Sequence, residues 1–305
     1  MKKLVFFMIL FLCGIVYINR EVIINFVLSN LNDNNVYFGE PNEYYKPYDY
    51  NFVQNTENLY PSSKQDILNI IYATLNTGLD KVEFYCDDNY YSCLSDVNEI
   101  ADSSLYLSTI NNLVHPYNSY KNIHFSISDY GKVGISVERV YSDEDISVIN
   151  ARVDQILASI INDSMSDYDK LLAVHDYIVN NTYYDDIVNT DSAAIDAAKV
   201  NSAYGVLING KAICSGYSDA LAIFLTTLGF NNYKVSSDVH VWNLVYYNGE
   251  WKHIDATWDD PVTLDGNNLL LHDFFLVYTY ELVDREGTYE MDNHDFNRNF
   301  YSEAR

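Results

Sequence analysis

The segment from His240 to Asp255 constrains the fold more than any other part of the chain. Two strand-like runs flank Asn248-Gly249, a dipeptide typical of a two-residue hairpin turn. With this turn, Asp255 lies opposite Trp242, two residues along the strand from His240. Residues two apart on a strand share a face, so His240 and Asp255 become diagonal neighbours within hydrogen-bonding reach. A one-residue slip in register would separate them.

A second segment places a cysteine at the start of a helix. Polar and glycine residues up to Lys211 are typical of a loop, whereas apolar residues recur at helical spacing from Cys214 until Gly229. The unpaired N–H groups and the dipole of a first helical turn favour a thiolate and can bind an oxyanion. Since a nucleophilic cysteine needs a base and the base an orienting group, we predict a catalytic triad of Cys214, His240 and Asp255.

His253 is the alternative base. It lies on the same face by the same register, opposite Leu244, but it is nearer the turn and has no carboxylate two residues away across the strand pair. We therefore prefer His240. Trp242 and Trp258 are predicted to wall the site and exclude water, and core packing would explain both equally well.

Three sequence blocks together resemble the bacterial transglutaminase-like superfamily. They are GKAICSGYSDA at 210–220, HVWNLV at 240–245 and GEWKHIDATWDDP at 249–261, in the family's order and spacing. The resemblance covers about residues 165–285 and leaves out the N-terminal part. Cys214, His240 and Asp255 stand at the positions of the family's triad, and Val241 departs from the alanine that often follows its histidine.

The resemblance implies an α+β fold with a papain-like transglutaminase core, in which a helix carrying the cysteine packs on an antiparallel sheet carrying the histidine and the acid. It also implies cysteine-dependent acyl transfer on protein or peptide amide bonds through a thioester. Water as acceptor makes a protease or amidase, and an amine makes a cross-linking transglutaminase. We prefer hydrolysis because no dedicated amine site is visible. The other alternative is a non-catalytic binding or scaffold module, against which the complete triad argues.

Two further expectations concern the groups that bind the oxyanion and the presence of a cofactor. The backbone N–H of Cys214 is one predicted oxyanion donor, and Tyr204 is a candidate for the second. Near Cys214 no Cys or His pair has the spacing of metal ligands, and the calcium-binding features of animal transglutaminases have no counterpart. We therefore predict no metal and no cofactor.

The net charge of −25 bears on the partners. Binding to nucleic acid requires clustered Lys and Arg, so this balance argues against it. The expected partner is a protein or peptide substrate, at the cell wall or the cell surface.

The N-terminus is typical of a targeting segment. Lys2 and Lys3 precede an apolar run over residues 4–18, which is short for a spanning helix. We predict a signal anchor or signal peptide over residues 1–20, preferably uncleaved, with the body at the cell membrane outside the cytoplasm or secreted. Cys13 as a lipidation site is the weaker alternative, because Leu12 stands where a small residue is expected.

The remaining chain divides, on sequence alone, into three parts. Residues 21–60 are predicted to be a polar tether, residues 61–141 a small α/β domain, and residues 142–305 the transglutaminase-like domain. In the small domain a first helix is predicted between Ser63 and Gly78, and a single second helix over residues 96–113. Its Cys86 and Cys93 form either a disulfide or two free thiols. His175 and Asp176, adjacent on a predicted helix, are not expected to face each other.

Overall fold

The computed structural model describes residue 17, residues 19–20, and residues 38–128, 131–185, 199–261, 269–286 and 293–304. The chain divides into two compact units, Met1–Phe38 and Gly39–Arg305. The predicted signal anchor, with Cys13, lies outside the described residues except for residues 17, 19 and 20. Within the described ranges, no helix is long and apolar enough to cross a membrane.

Residues 39–60 belong to the body, and here the structure differs from the predicted tether. Val53 is fully buried, and the ring of Phe52 stacks on that of Phe300 with 4.5 Å between centroids. Lys46 is also buried, and its Nζ donates to the carbonyl of Asn232 at 2.8 Å. Burial, with a contribution from the nearby Lys234, lowers the pKa of Lys46 to about 7. The segment thus contributes buried residues, among them Tyr50, to the packed body of the protein.

The N-terminal half of the body consists of three helices and a three-stranded sheet. In chain order the elements are α1 (Lys64–Asn76), β1 (Lys81–Tyr85), α2 (Cys93–Asp102), α3 (Ser104–Leu113), a 3₁₀ turn (Pro116–Asn118), β2 (Tyr120–Ile127) and β3 (Lys132–Arg139). The sheet has the order β1-β3-β2 and both pairs are antiparallel. Strands β2 and β3 form a hairpin, and β3 lies at the centre of the sheet.

The single helix predicted over residues 96–113 is wrong, because two helices occupy this stretch. Ser103 adopts an extended conformation (φ −93°, ψ 101°), and its side chain accepts a hydrogen bond from the N–H of Tyr106. A serine that caps the following helix in this way ends the preceding one. Cys86 and Cys93 form a disulfide, which joins the end of β1 to the start of α2.

The C-terminal half carries the second sheet. Its elements are α4 (Asp143–Ile160), α5 (Asp167–Asn181), β4 (Tyr183–Tyr184), a π-helical turn (Gly205–Asn209), β5 (Lys211–Ala212), α6 (Cys214–Thr227), β6 (Asn232–Ser236), β7 (Val241–Tyr247), β8 (Glu250–Ile254), β9 (Phe275–Val277) and α7 (Thr279–Glu286). The sheet β6-β7-β8-β9 is antiparallel throughout. Side chains of Ser142 and Ser166 form capping boxes at the starts of α4 and α5.

Helix α6 lies at the centre of the core. Every residue from Gly216 to Leu225 is buried, which an amphipathic surface helix would not show. Its apolar side chains pack with those of α4 and α5 and with Val245 and Ile254 of the sheet. This helix on an antiparallel sheet is the predicted α+β, papain-like arrangement.

The body from residue 39 onward is one compact unit, so no separation falls at the predicted boundary between residues 141 and 142. Buried contacts join the two halves. The Nδ2 of Asn112 in α3 donates to the Oγ of Ser236 in β6 and to the hydroxyl of Tyr301, each at 2.9 Å. The two halves therefore share a packed interface rather than a linker.

Candidate active site

The hairpin brings His240 and Asp255 together as its register predicts. Asn248 and Gly249 both have positive φ (53° and 85°), as a tight turn of the type I′ class requires. His240 immediately precedes β7 and Asp255 immediately follows β8. The Nε2 of His240 lies 2.5 Å from the Oδ2 of Asp255, and both residues are buried. The predicted contact is confirmed.

Cys214 is the first residue of α6, as predicted. It is partly exposed, and it is the free cysteine of the described residues. No described residue accepts a hydrogen bond from its backbone N–H, which therefore points outward from the helix terminus. Gly216 fits against backbone rather than against a substrate, because an added Cβ would lie 2.7 Å from the carbonyl oxygen of Val200.

The histidine links the cysteine to the acid. Burial alone would lower the pKa of His240, but the Asp255 carboxylate and a hydrogen bond with the Cys214 thiol outweigh it and raise the pKa of His240 to about 10. Burial of Asp255 favours its neutral form. The charge of His240, together with hydrogen bonds from His240 and His294, outweighs burial and holds the pKa of Asp255 far below the ordinary value. A cationic imidazole beside a thiol favours the thiolate.

His294 is a residue of the site that sequence reasoning missed. Its Nε2 lies 2.9 Å from the same Oδ2 of Asp255 that His240 contacts, and its side chain is fully buried. The ring stacks on Phe274 and lies edge-on to His240. His294 stands 39 residues after Asp255, beyond the three blocks, and no local spacing or motif marks it.

Backbone groups complete the environment of the acid. The Oδ1 of Asp255 accepts from the N–H groups of Thr257 and Trp258, at 2.9 and 3.2 Å. The carboxylate is thus held on both oxygens. A carboxylate fixed in this way orients the histidine and has little freedom to rotate away from it.

The two tryptophans pack around His240. The indole of Trp242 stacks on the imidazole, with centroids 5.7 Å apart and 13° between planes, and the ring of Trp258 lies 6.4 Å away. The Nε1 of Trp242 also donates to the Nδ1 of His253. Their position beside the histidine agrees with the predicted wall, and they serve core packing at the same time.

The rival histidine is engaged elsewhere. Besides the bond from Trp242, the Nε2 of His253 lies 3.0 Å from the Oγ1 of Thr279, so both ring nitrogens have partners. Burial lowers the pKa of His253 to about 3, with the nearby His294 contributing. A neutral, buried ring of this kind is part of the core and does not act as the base.

An open cleft of about 480 Å³ exposes the cysteine and the histidine. Cys214 and His240 line it together with Asn201. Tyr204 does not line it; its ring packs against the core and lies under the ammonium of Lys199 at 4.2 Å. The cleft therefore contains Asn201 and not Tyr204, the residue predicted as the second oxyanion donor.

His175 is buried in the core as expected, but the expectation that it does not meet Asp176 is wrong. Its Nδ1 lies 3.0 Å from the Oδ1 of Asp176 and its Nε2 lies 3.1 Å from the Oδ2 of Asp259. His272 reaches the same oxygen of Asp176 at 2.7 Å. Adjacent helical side chains diverge at Cβ, yet a short carboxylate can bend back to the ring nitrogen nearest the backbone.

Two groups of side chains in the described part could hold a metal ion. They are His175, Asp176 and His272, and His240, Asp255 and His294. In the first group burial lowers the pKa of His175, while its hydrogen-bonded partners Asp176 and Asp259 raise it above the ordinary value. In the second group both histidines already point their Nε2 atoms at one oxygen.

One comparison with known proteins covers the residues of this site. Residues 154–256 match the transglutaminase-like superfamily, and they include Cys214, His240 and Asp255. This stretch is therefore similar to a transglutaminase-like core. None of the curated proteins matches the sequence significantly.

Two solved structures are similar over part of the chain. One is a TGase, at 19% identity and a TM-score of 0.33, with 46% of this chain and 44% of that chain covered. The other is a candidate cysteine protease from Cytophaga hutchinsonii, at 16% identity and a TM-score of 0.29, with 49% and 64% covered. The chain thus spans less than two thirds of either structure.

Proposed function

We propose that the protein is a cysteine-dependent acyl-transfer enzyme that hydrolyses amide bonds of proteins or peptides. One observation carries the proposal. His240 lies 2.5 Å from the Asp255 carboxylate and lines an open cleft together with Cys214, whose thiol helps to raise the pKa of the ring. This is the geometry of an activated nucleophile, its base and an orienting group.

The first half of the reaction forms a thioester. The Cys214 thiolate attacks the amide carbonyl carbon, and the oxyanion is held by the N–H of Cys214 and the side-chain amide of Asn201. His240, which carries a proton, donates it to the nitrogen as the carbon–nitrogen bond breaks. The amine leaves, and the acyl group remains on the sulfur.

The second half returns the enzyme to its starting state. His240, now neutral, takes a proton from water as the water oxygen attacks the thioester carbonyl. The carbon–sulfur bond breaks, the acid leaves, and the thiolate reforms beside the imidazolium. Asp255 stabilises the cationic ring and His294 holds the acid from the other side, while Trp242 covers the ring face.

Water is the proposed acceptor because the cleft opens directly to solvent and Cys214 is partly exposed. A lysine-type amine in the place of water would give a cross-link instead. A glutamine dipeptide supplied with and without a dansylated primary amine separates the two reactions. We expect ammonia release without incorporation of the dansylated amine. Incorporation would show that the enzyme transfers the acyl group to an amine instead of hydrolysing the thioester.

Casein cleavage by the full chain tests whether the site is catalytic at all. We expect new amino termini with the wild type and none with Cys214→Ala or His240→Ala. Iodoacetamide labelling at about pH 6, where an ordinary thiol near 8.5 reacts slowly, provides a readout that needs no substrate. Slow labelling that is indifferent to His240→Ala would leave only the non-catalytic binding or scaffold reading.

We also propose that the protein works outside the cytoplasm, on cell-wall or cell-surface proteins. The charged and apolar N-terminal segment and the Cys86–Cys93 disulfide support this location, since disulfides persist in oxidising compartments. Protease treatment of intact cells checks it. Digestion of the body without lysis is expected, and full protection would contradict the proposal.

A further inference from the structure

One wall of the cleft comes from a helix outside the transglutaminase-like core. Four polar residues of α3 line the cleft, namely Ser104, Ser108, Asn111 and Asn112. The core match begins only at residue 154. The spacing of these residues puts them on one side of the helix, whereas Leu107, Ile110 and Leu113 are buried on the other. The N-terminal half therefore contributes directly to the candidate active site.

The asparagines hold this wall in place, and the serines remain for a ligand. Asn112 bonds Ser236 and Tyr301 across the interface, and the Oδ1 of Asn111 accepts from the backbone N–H of Tyr120 at 2.9 Å. Ser104 is exposed. The Ser108 hydroxyl donates within its own helix at 3.3 Å, which leaves its lone pairs available to a donor on a substrate.

A second stretch of the lining is the end of β6 and the turn that follows it, residues 236–239, called the 236–239 turn. It carries Ser236, Ser237, Asp238 and Val239 into the cleft. Apart from the imidazole of His240, no residue of the lining is aromatic, and its Lys234 is neutralised by Asp219, with Nζ and Oδ1 2.5 Å apart. Asp238 is exposed, and no described cation pairs with it. The cleft therefore offers hydroxyls, amides and one free carboxylate, but no free cation among its lining residues.

We propose that α3 and the 236–239 turn form a peptide-binding groove that selects small polar or basic side chains next to the scissile amide and disfavours acidic ones. Hydrogen bonds from an extended peptide would be made to Ser104 and Ser108 on one wall. Asp238 would attract a lysine or arginine side chain and repel a carboxylate. The inference rests on the proposed function, because it names the substrate class of the same site.

Labelling rates of Cys214 test the groove without knowledge of the natural substrate. Two tripeptidyl acyloxymethyl ketones are used that differ only in Lys or Glu, with iodoacetamide as a probe too small to touch the walls. Attachment is read by mass spectrometry on the tryptic peptide 212–234, which contains Cys214 and no other cysteine. We expect the wild type to react about 5-fold faster with the Lys probe than with the Glu probe. The effect is modest because the Asp238 carboxylate is exposed, and solvent weakens its attraction to the lysine ammonium.

Variants of each wall give separate predictions. Ser108→Tyr should slow both peptidyl probes about 10-fold by filling the groove, and Asp238→Asn should abolish the difference between Lys and Glu. Ser104→Tyr, at an exposed position, repeats the first test should Ser108→Tyr fold poorly. Ser95→Tyr on the exposed face of α2, outside the cleft lining, is the matched control and should change neither rate.

The results distinguish this inference from the proposed function. Slow iodoacetamide labelling in the wild type at about pH 6 would count against the reactive cysteine itself. Fast iodoacetamide labelling, with peptidyl rates unchanged by Ser104→Tyr, Ser108→Tyr and Asp238→Asn, would overturn the groove and leave the triad standing.

Discussion

Asp255→Asn removes the charge that keeps His240 protonated while preserving a hydrogen-bond acceptor. In the wild type the carboxylate lies 2.5 Å from the Nε2 of His240, and this outweighs burial to raise the pKa of the ring to about 10. A histidine with a raised pKa stays cationic until the pH climbs through that value. Without the carboxylate, burial dominates, and the ring becomes neutral across the physiological range.

The expected effect follows from the thiolate fraction. An ordinary thiol with a pKa of about 8.5 is ionised to only about 0.3% at pH 6. A thiolate paired with an imidazolium is ionised to a large extent, although its lower basicity makes it a weaker nucleophile. Taken together, Cys214 in the wild type should react with iodoacetamide on the order of 10-fold faster at pH 6 than in Asp255→Asn.

The assay is the rate of alkylation of Cys214 between about pH 5 and 9. We expect the rate in Asp255→Asn to fall steeply toward pH 5, as for an ordinary thiol, and the rate in the wild type to fall much less. His253→Gln is the control, because both ring nitrogens of His253 are engaged away from the cleft. Its profile should match the wild type, provided circular dichroism shows that it is folded. Identical profiles for Asp255→Asn and the wild type would refute the ion pair.

Three further changes probe how the site is held. His294→Leu should lower kcat and shift the pH profile by loosening Asp255, and His294→Gln, which keeps a donor, should restore much of both; equal profiles would contradict its positioning role. Gly216→Ala should destabilise the fold by about 1–3 kcal/mol in urea titrations, because the new methyl meets backbone; unchanged stability would show that this contact relaxes freely. Cys86→Ser with Cys93→Ser should cost about 2–3 kcal/mol by loop entropy and leave Cys214 labelling unchanged; slower labelling would show that the disulfide shapes the site.

Local sequence chemistry predicted the elements that depend on nearby residues. The Asn248-Gly249 turn sets the strand register, since it admits positive φ at two successive positions. The start of α6 at Cys214 follows from apolar spacing. Where a neighbouring serine competes for the backbone, the same reasoning fails: apolar periodicity ran through Ser103, but its capping bond splits the stretch into two helices.

The segment over residues 39–60 shows a different limit. Its polar composition is typical of a solvated tether, yet the structure buries Lys46 and Val53 and pairs the backbone with distant side chains. Composition records how polar a residue is and not whether a partner exists for it. The partners of this segment are far along the chain, so they become visible only after folding.

The sequence by itself determined the start of a helix at Cys214 and the hairpin that aligns His240 with Asp255, because each depends on spacings of a few residues. The tertiary structure alone decided what surrounds them. It brought His294 to the second side of Asp255, placed Asn201 rather than Tyr204 in the cleft, and brought α3 and the 236–239 turn together in the lining of the cleft. These contacts join residues that are distant along the chain, and no local pattern encodes which distant side chain a fold will bring near.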